Sequence, residues 1–216
     1  MRPERFHRLR AVLERRQPDL TVLMDRVDKS HNFSAILRSC DAVGVLEAHV
    51  VPPDDGLDLH HASSAGTKKW VGVRRHTDVT AAIAHLEERG FRVLAAHLAP
   101  DATDYRDVDY TGPTAIVMGA ELHGVSDQAR ALAHASVAVP LSGMVHSLNV
   151  SVATALILFE ARRQREAAGL YDTCRLSTEE LERRLFEWAY PSLARSRRAA
   201  GRPYPALTED GEIVRD

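Results

Sequence analysis

The sequence predicts an α/β fold in which a mainly parallel sheet is flanked by helices. Short apolar runs that suit buried strands alternate along the chain with longer segments of helical periodicity. This alternation is typical of parallel sheets, because each crossover between parallel strands needs a long connection, usually a helix. The 216 residues suffice for one main domain with extensions, and a domain of this size can build its core without disulfides.

The individual elements are bounded by turn and capping residues. A short amphipathic basic helix over residues 4–16 ends before Pro18, and glycines at 44, 90 and 169 stop later helices. Strands are predicted at residues 21–24, 48–51, 70–73, 91–98, 114–118 and 136–139. Further helices are predicted at 35–43, 79–89, 126–134, 148–168 and 178–188, the last with Ser177 as its N-cap. A polar loop is predicted over residues 54–69.

Composition divides the chain into four parts. They are a basic N-terminal helix (1–17), a main domain (18–168), a C-terminal helical extension (169–190) and a tail (191–216). The arginine, glycine, proline and acidic content of the tail predicts mobility. The main domain contains every predicted strand, so the core and any ligand site are expected there.

Cysteine usage and hydropathy favour a cytoplasmic protein. Cys40 and Cys174 are far apart and outside any CxxC spacing, which indicates reduced thiols. The first residues are charged and lack the apolar stretch of a secretory signal. The longest strongly apolar run, residues 150–159, is about half of a bilayer span. We therefore expect a soluble protein with no membrane partner.

Arginines are concentrated in three places, although the net charge of the chain is only −2. Residues 1–16 contain six arginines and two glutamates. The other two clusters are Arg162, Arg163 and Arg165, and Arg195, Arg197, Arg198 and Arg202. Basic margins around a near-neutral body suit contacts with nucleic-acid phosphates. Arginines on solvated helices would give the same pattern, so both interpretations stay open.

Three segments place polar or glycine-rich residues where a predicted strand gives way to a helix. They are NFSAILRSCDAVG at 32–44, MGAELHGVS at 118–126 and VPLSGMVHSLNVS at 139–151. Loops at the carboxyl ends of parallel strands meet helix N-termini, and ligands commonly bind there in open α/β sheets. These segments are therefore the candidate ligand site.

The first two segments also have a structural interpretation. Asn32 can cap a helix and Arg38 can be a surface residue, since their spacing places them on different faces of one helix. Glu121 can be a cap or an ion-pair partner, while the flanking Gly119 and Gly124 let the backbone approach a ligand. In the third segment, the density of polar groups beside a strongly apolar helix favours ligand binding.

Several common site motifs are absent from the sequence. There is no GxGxxG after a strand, no GxxxxGK[ST] and no Gly-x-Ser-x-Gly, so an ordinary Rossmann site, a P-loop and a nucleophile elbow are not expected. The histidines, including His60 and His61, lack metal-ligand spacing with cysteines or carboxylates, and no metal is expected. The residues alone thus indicate a ligand-binding α/β protein with basic margins.

The three segments resemble, in order and separation, the three motifs of the SpoU (TrmH) branch of the SPOUT methyltransferases. The arginine-rich first helix and the stretch from Phe159 to Asp172 further resemble the members that act on guanosine 18 of tRNA. The resemblance covers roughly residues 1–190. It implies a SPOUT-type sheet with a deep trefoil knot in the C-terminal part of the main domain, and a homodimer.

The resemblance also implies the reaction and its residues. S-adenosylmethionine would donate a methyl group to a ribose 2′-hydroxyl of tRNA, at guanosine 18 of the D-loop. The implied catalytic residues are Asn32, Arg38, Glu121, Ser147 and Asn149. The implied cofactor-binding residues are Ala96, Gly119, Val139, Leu141, Gly143, Met144 and Leu148. Ala96 stands where related sequences can carry threonine, and Ser142 and His146 are variants within the third motif.

Arg38 is interpreted as a clamp on the phosphate beside the reacting ribose. A guanidinium is almost always protonated at neutral pH, so it is a poor base. Alternatives to the tRNA reaction are 2′-O-methylation of ribosomal RNA and a non-catalytic RNA-binding protein that keeps the knot. A hydrolase using Ser147 and His146 is disfavoured, because adjacent side chains rarely form a nucleophile–base pair.

Overall fold

We describe a computed structural model of the chain, which covers residues 1–53 and 69–214. All but the last residue of the predicted loop at 54–69, including His60 and His61, lies outside the described residues. The chain forms two compact units. One contains residues 17–170, and the other combines residues 1–16 with 171–216.

The strands and helices are as follows. The strands are β1 Leu20–Asp25, β2 Glu47–Val51, β3 Gly72–Arg75, β4 Arg92–Ala96, β5 Thr103–Asp104, β6 Thr114–Gly119 and β7 Ala135–Ala138. The helices are α1 Pro3–Glu14, α2 Ser30–Ala42, α3 Val79–Glu88, α4 Asp127–Leu132, α5 Val150–Ala167, α6 Thr178–Ala189 and α7 Pro191–Ala199.

The strands of the unit at 17–170 form one parallel sheet in the order β3-β2-β1-β6-β4-β7-β5. The predicted α/β fold with a mainly parallel sheet is confirmed. Strand β5 was not predicted, because its two residues are too short to produce a hydrophobic pattern. The central strands β1 and β6 are buried along their whole length, as expected for a sheet covered on both faces.

Alternate residues of the strands face two separate cores. Val22 of β1 belongs to the core that α2 and α5 complete, whereas the next residue, Leu23, belongs to the core beneath α3 and α4. The predicted stops Gly44, Gly90 and Gly169 all have positive φ, the conformation that glycine adopts without strain. Helix α2 begins at Ser30, earlier than predicted, which places Asn32 in its first turn.

The segment predicted as a mobile tail contains a helix and makes contacts within the second unit. Residues 191–199 form helix α7, with Pro191 in the first turn where its missing N–H costs nothing. The hydroxyl of Tyr190 donates to the carbonyl of Gly211 at 2.7 Å, and the Tyr204 ring stacks on Phe186 with centroids 4.7 Å apart. The proline and glycine content that suggested mobility instead starts a helix and forms turns. Ser177 caps α6 as predicted, accepting from the Glu180 N–H.

Two of the clustered arginines are structural rather than free for phosphate. Arg165 is fully buried and donates to the Asp19 carboxylate at 2.7 Å and to the carbonyls of Tyr110 and Gly112 at 2.8 and 2.7 Å. Arg16 is also fully buried, with its guanidinium 5.3 Å from the centre of the Trp188 ring. Periodicity and charge in the sequence do not distinguish such residues from surface arginines.

Candidate active site

A cleft of about 610 Å³ lies at the carboxyl ends of β4, β6 and β7 and the first turns of α2 and α5. The three segments identified in the sequence meet there. Nine of the twelve predicted site residues line it: Asn32, Ala96, Gly119, Glu121, Val139, Leu141, Ser147, Leu148 and Asn149. The topology explains the convergence, because parallel strands direct their carboxyl ends to one edge of the sheet.

One residue from each segment joins a continuous hydrogen-bond chain. The Asn32 amide nitrogen donates to Glu121 Oε1 at 2.6 Å, and the Asn149 amide nitrogen donates to Asn32 Oδ1 at 3.1 Å. Asn149 Oδ1 in turn accepts from the backbone N–H of Ser151 at 2.8 Å and caps α5. Both polar ends of Asn32, which is almost fully buried, are thereby satisfied.

Glu121 holds the start of α2. Its carboxylate accepts from the backbone N–H groups of Asp28 and Lys29 at 3.3 and 3.4 Å, in addition to Asn32. Burial raises the pKa of Glu121, but hydrogen bonds from Asp28 and Asn32 outweigh burial and lower the pKa to about 2. The hydrogen bond to Glu121 raises the pKa of Asp28. Glu121 is therefore a stable anion that orients Asn32, and a poor proton acceptor.

The turn that carries Glu121 is tightly closed. The Gly124 N–H donates to the Ala120 carbonyl at 2.7 Å, and Gly124 has φ of 66°. A Cβ on Gly119 would lie 1.9 Å from the Gly124 carbonyl carbon, so the backbone approach requires glycine at 119. The sequence suggested that these glycines let the backbone approach a ligand, whereas the close approach at Gly119 is to the backbone of the same turn.

Three predicted residues do not line the cleft. Arg38 is exposed on α2, about 9 Å along the helix from Asn32 by the helical rise, and makes no hydrogen bond or ion pair with another described residue. Gly143 and Met144 are exposed in the loop before α5, Met144 being 94% accessible. The order of motifs along the chain predicts which loops converge, but it does not say which residues of a loop face inward.

The cleft also contains titratable residues that the sequence analysis did not select. They are Lys29, His31, His97 and His123. His97 Nε2 lies 2.9 Å from an Arg130 guanidinium nitrogen. Lys29 and His31 lie just before the first segment, His97 lies near the end of a predicted strand, and His123 lies in the second segment. Position relative to these segments and strand ends was therefore the available signal. Within residues 1–53 and 69–214, no three His, Cys, Asp or Glu side chains are arranged to hold a metal ion.

Two family models match this chain. Residues 19–159 match the SpoU rRNA methylase family, and residues 163–216 match the C-terminal segment of SpoU rRNA methylases. The chain belongs to the SpoU methylase family. The assignment made from the three motifs is confirmed, and the C-terminal match extends through residues 191–216, beyond the range covered by the resemblance.

This SpoU methylase is similar to two curated relatives over most of their length. It is 48% identical to the tRNA (guanosine(18)-2′-O)-methyltransferase of Escherichia coli, over 100% of this chain and 95% of that protein. It is 56% identical to the enzyme of the same name from Thermus thermophilus, over 85% of this chain and 95% of that protein.

Solved structures agree with the fold. The crystal structure of the Aquifex aeolicus TrmH/SpoU tRNA modifying enzyme matches with a TM-score of 0.82 and 42% identity, covering 88% of this chain and 97% of that chain. The SpoU methyltransferase AviRb from Streptomyces viridochromogenes, in complex with the cofactor AdoMet, matches with a TM-score of 0.62 and 30% identity, covering 70% of this chain and 62% of that one. In the described part of the chain, no helix is both long and apolar enough to cross a membrane.

Proposed function

We propose that this chain transfers a methyl group from S-adenosylmethionine to the ribose 2′-hydroxyl of guanosine 18 in tRNA, in the cytoplasm. The supporting observation is the hydrogen-bond chain from Glu121 through Asn32 to Asn149, which unites the three family motifs at one cleft. Two relatives that match nearly whole-length carry this activity in their names.

The cleft suits S-adenosylmethionine in size and chemistry. Its volume of about 610 Å³ lies within the range of small-molecule sites. Five of the predicted cofactor residues line it: Ala96, Gly119, Val139, Leu141 and Leu148. These five carry the structural support for the cofactor site, and Gly143 and Met144 are included on the family resemblance alone. The cofactor supplies a methyl group already activated by a sulfonium, so the protein's tasks are alignment and help with the hydroxyl proton.

The remaining residues position the ribose and the neighbouring phosphate. Asn32, Asn149 and Ser147 line the cleft with amide and hydroxyl groups. Glu121 orients Asn32 and, through it, Asn149. Arg38, exposed on α2, is proposed to clamp the phosphate beside the reacting ribose. A clamp in that place would stabilise the charge that develops as the hydroxyl loses its proton.

The proposal includes a homodimer and the knot of the SPOUT fold. Helix α5 exposes Val152, Leu156 and Phe159, with 48%, 37% and 48% of their surfaces accessible. Their i, i+4, i+7 spacing makes one apolar stripe, a feature that a second copy of the chain would cover. The family resemblance remains the support for the knot.

Contact with tRNA is assigned to the unit formed by residues 1–16 and 171–216. Arg2, Arg5 and Arg8 are exposed and form no ion pair with another described residue, which leaves them free for phosphates. Deleting α1 is a poor test, because Phe6, Leu9 and Leu13 are buried in that unit. Replacing the three arginines by glutamine instead should weaken tRNA binding while leaving S-adenosylmethionine binding unchanged.

The experiment is transfer of a labelled methyl group to an in vitro transcribed tRNA, followed by mapping of the modified ribose. We expect label at guanosine 18 of the wild-type transcript. Label on ribosomal RNA fragments but not on tRNA would favour the ribosomal alternative that the family description suggests. RNA binding without S-adenosylmethionine binding in calorimetry would favour a non-catalytic protein.

A further inference from the structure

The buried carboxylate of Asp25 contacts the end of the turn that carries Glu121. Asp25 is the last residue of β1 and pairs in register with Gly119, the last residue of β6. Asp25 is 2% exposed, and its Oδ2 accepts the backbone N–H of Ser126 at 3.0 Å. No motif of the sequence singled out this residue, and it does not line the cleft.

This hydrogen bond closes the turn at its far end. The first residue of the turn, Gly119, is held by its strand pairing with Asp25 and packs closely against the backbone of Gly124. Ser126, where the turn passes into α4, is the exit. With both ends fixed to neighbouring strand ends, Glu121 between them has a defined position relative to Asn32.

Helix α4 does not need the Asp25 carboxylate as its N-cap. The Ser126 hydroxyl already accepts from the Ala129 N–H at 3.2 Å and caps that helix. Asp25 Oδ1, moreover, is buried without a hydrogen-bond partner in the part of the chain that the structure describes. A buried carboxylate with one unsatisfied oxygen lowers stability, so a role in positioning explains its presence better than a role in folding.

We infer that Asp25 is a positioning residue for the methyl transfer, acting through the Ser126 N–H and the turn to hold Glu121 against Asn32. The inference rests on the proposed function for its effect on rate. It also makes a claim about the turn itself, which can be measured without cofactor or tRNA.

Two pairs of variants separate the hydrogen bond from other effects. Asp25→Ala removes the acceptor, whereas Asp25→Asn keeps an amide oxygen that can accept from Ser126. Ser126→Pro removes the N–H donor at a residue whose φ of −60° suits proline, whereas Ser126→Ala removes only the hydroxyl cap. In hydrogen–deuterium exchange of the cofactor-free protein, Asp25→Ala and Ser126→Pro should speed exchange of the amides of residues 120–125 by about tenfold or more. Amides of β6 should exchange as in the wild type.

The rate test is a double-mutant cycle between Asp25→Ala and Glu121→Gln. We expect each single variant to lower kcat/KM for tRNA methylation by about 10- to 100-fold, with the double variant within about threefold of the worse single one. Asp25→Asn should recover most of the rate lost in Asp25→Ala. A residue needed only for folding would give losses that multiply in the double variant.

Several results would overturn the inference. The first is amide exchange at the wild-type rate in residues 120–125 of Asp25→Ala. The second is a double variant whose loss of kcat/KM equals the product of the two single losses. The third is the same amide exchange in Ser126→Pro as in Ser126→Ala. If Asp25→Ala does not fold, the Ser126 pair decides alone. Failure of the wild-type protein to methylate tRNA would contradict the proposed function, while the exchange measurement would still test the positioning of the turn.

Discussion

Asn32 and Glu121 are joined by a 2.6 Å hydrogen bond although 89 positions separate them in the sequence. Asn32 lies in the first turn of α2 and Glu121 in the turn after β6. The same carboxylate also accepts the first backbone N–H groups of α2. One anion therefore orients both a helix and the side chain that the helix presents to the cleft.

Glu121→Gln should lower kcat/KM for tRNA methylation by about 10- to 100-fold. Glutamine loses the negative charge and keeps only one acceptor oxygen, so it cannot accept from both the Asp28 N–H and the Lys29 N–H, which donate to different oxygens of Glu121. A hydrogen bond to a charged group contributes about 1.5–3 kcal/mol. Glu88→Gln, at the exposed end of α3, is the control and should keep the wild-type rate. Equal rates for Glu121→Gln and Glu88→Gln would mean that the Glu121 carboxylate does not contribute to methyl transfer.

Arg38→Lys should lose most of the activity if the side chain is a two-pronged phosphate clamp. Lysine keeps the positive charge but not the planar fork that binds two phosphate oxygens. Single-turnover kinetics should show a slower methyl-transfer step, while calorimetry shows unchanged affinity for S-adenosylmethionine. A near-normal rate would mean that charge alone suffices, and lost cofactor affinity in Arg38→Ala would place the residue in a different role.

The free energy of unfolding should fall as the pH drops from about 6.5 toward 3, because of His49. Burial lowers the pKa of His49 to about 3, Glu47 partly offsets this, and the nearby rings of His76 and His85 lower it further. The unfolded chain therefore binds a proton in this window that the folded chain does not. Each such proton contributes a slope of about 1.4 kcal/mol per pH unit.

Urea unfolding of His49→Leu at several pH values checks this origin. The variant should show a shallower pH dependence than the wild type, whatever its stability at neutral pH. His123→Gln, an exposed residue, is the control and should keep the wild-type slope. An unchanged slope in His49→Leu would assign the acid sensitivity to other groups.

Arg165→Leu should lower the free energy of unfolding by about 3–5 kcal/mol, because it removes a fully buried guanidinium that donates to the Asp19 carboxylate and to the carbonyls of Tyr110 and Gly112. The matched control is Arg163→Leu, which removes an exposed pair with Glu160 and should cost less than about 1 kcal/mol. Urea unfolding measures both variants. Similar losses would mean that Arg165 belongs with the surface arginines.

The sequence predicted the sheet and the order of its elements, because apolar periodicity and glycine stops reflect local physical chemistry that each segment carries by itself. The twelve site residues came from the resemblance to the family motifs, and nine of them line the cleft. The sequence did not predict helix α7 or the contacts of the segment that follows it, because the Tyr190 and Phe186 contacts join residues 18 to 21 positions apart. The same limit applies to Arg165 and Asp25, whose burial depends on partners far along the chain.

The most direct test of the account compares two tRNA transcripts that differ in one oxygen atom. One carries guanosine at position 18, and the other carries dG18, which lacks the 2′-hydroxyl. With labelled S-adenosylmethionine, we expect one methyl group per molecule on the first transcript and none on the second, while the second still competes for binding. Equal labelling of the two transcripts would contradict methylation of that ribose.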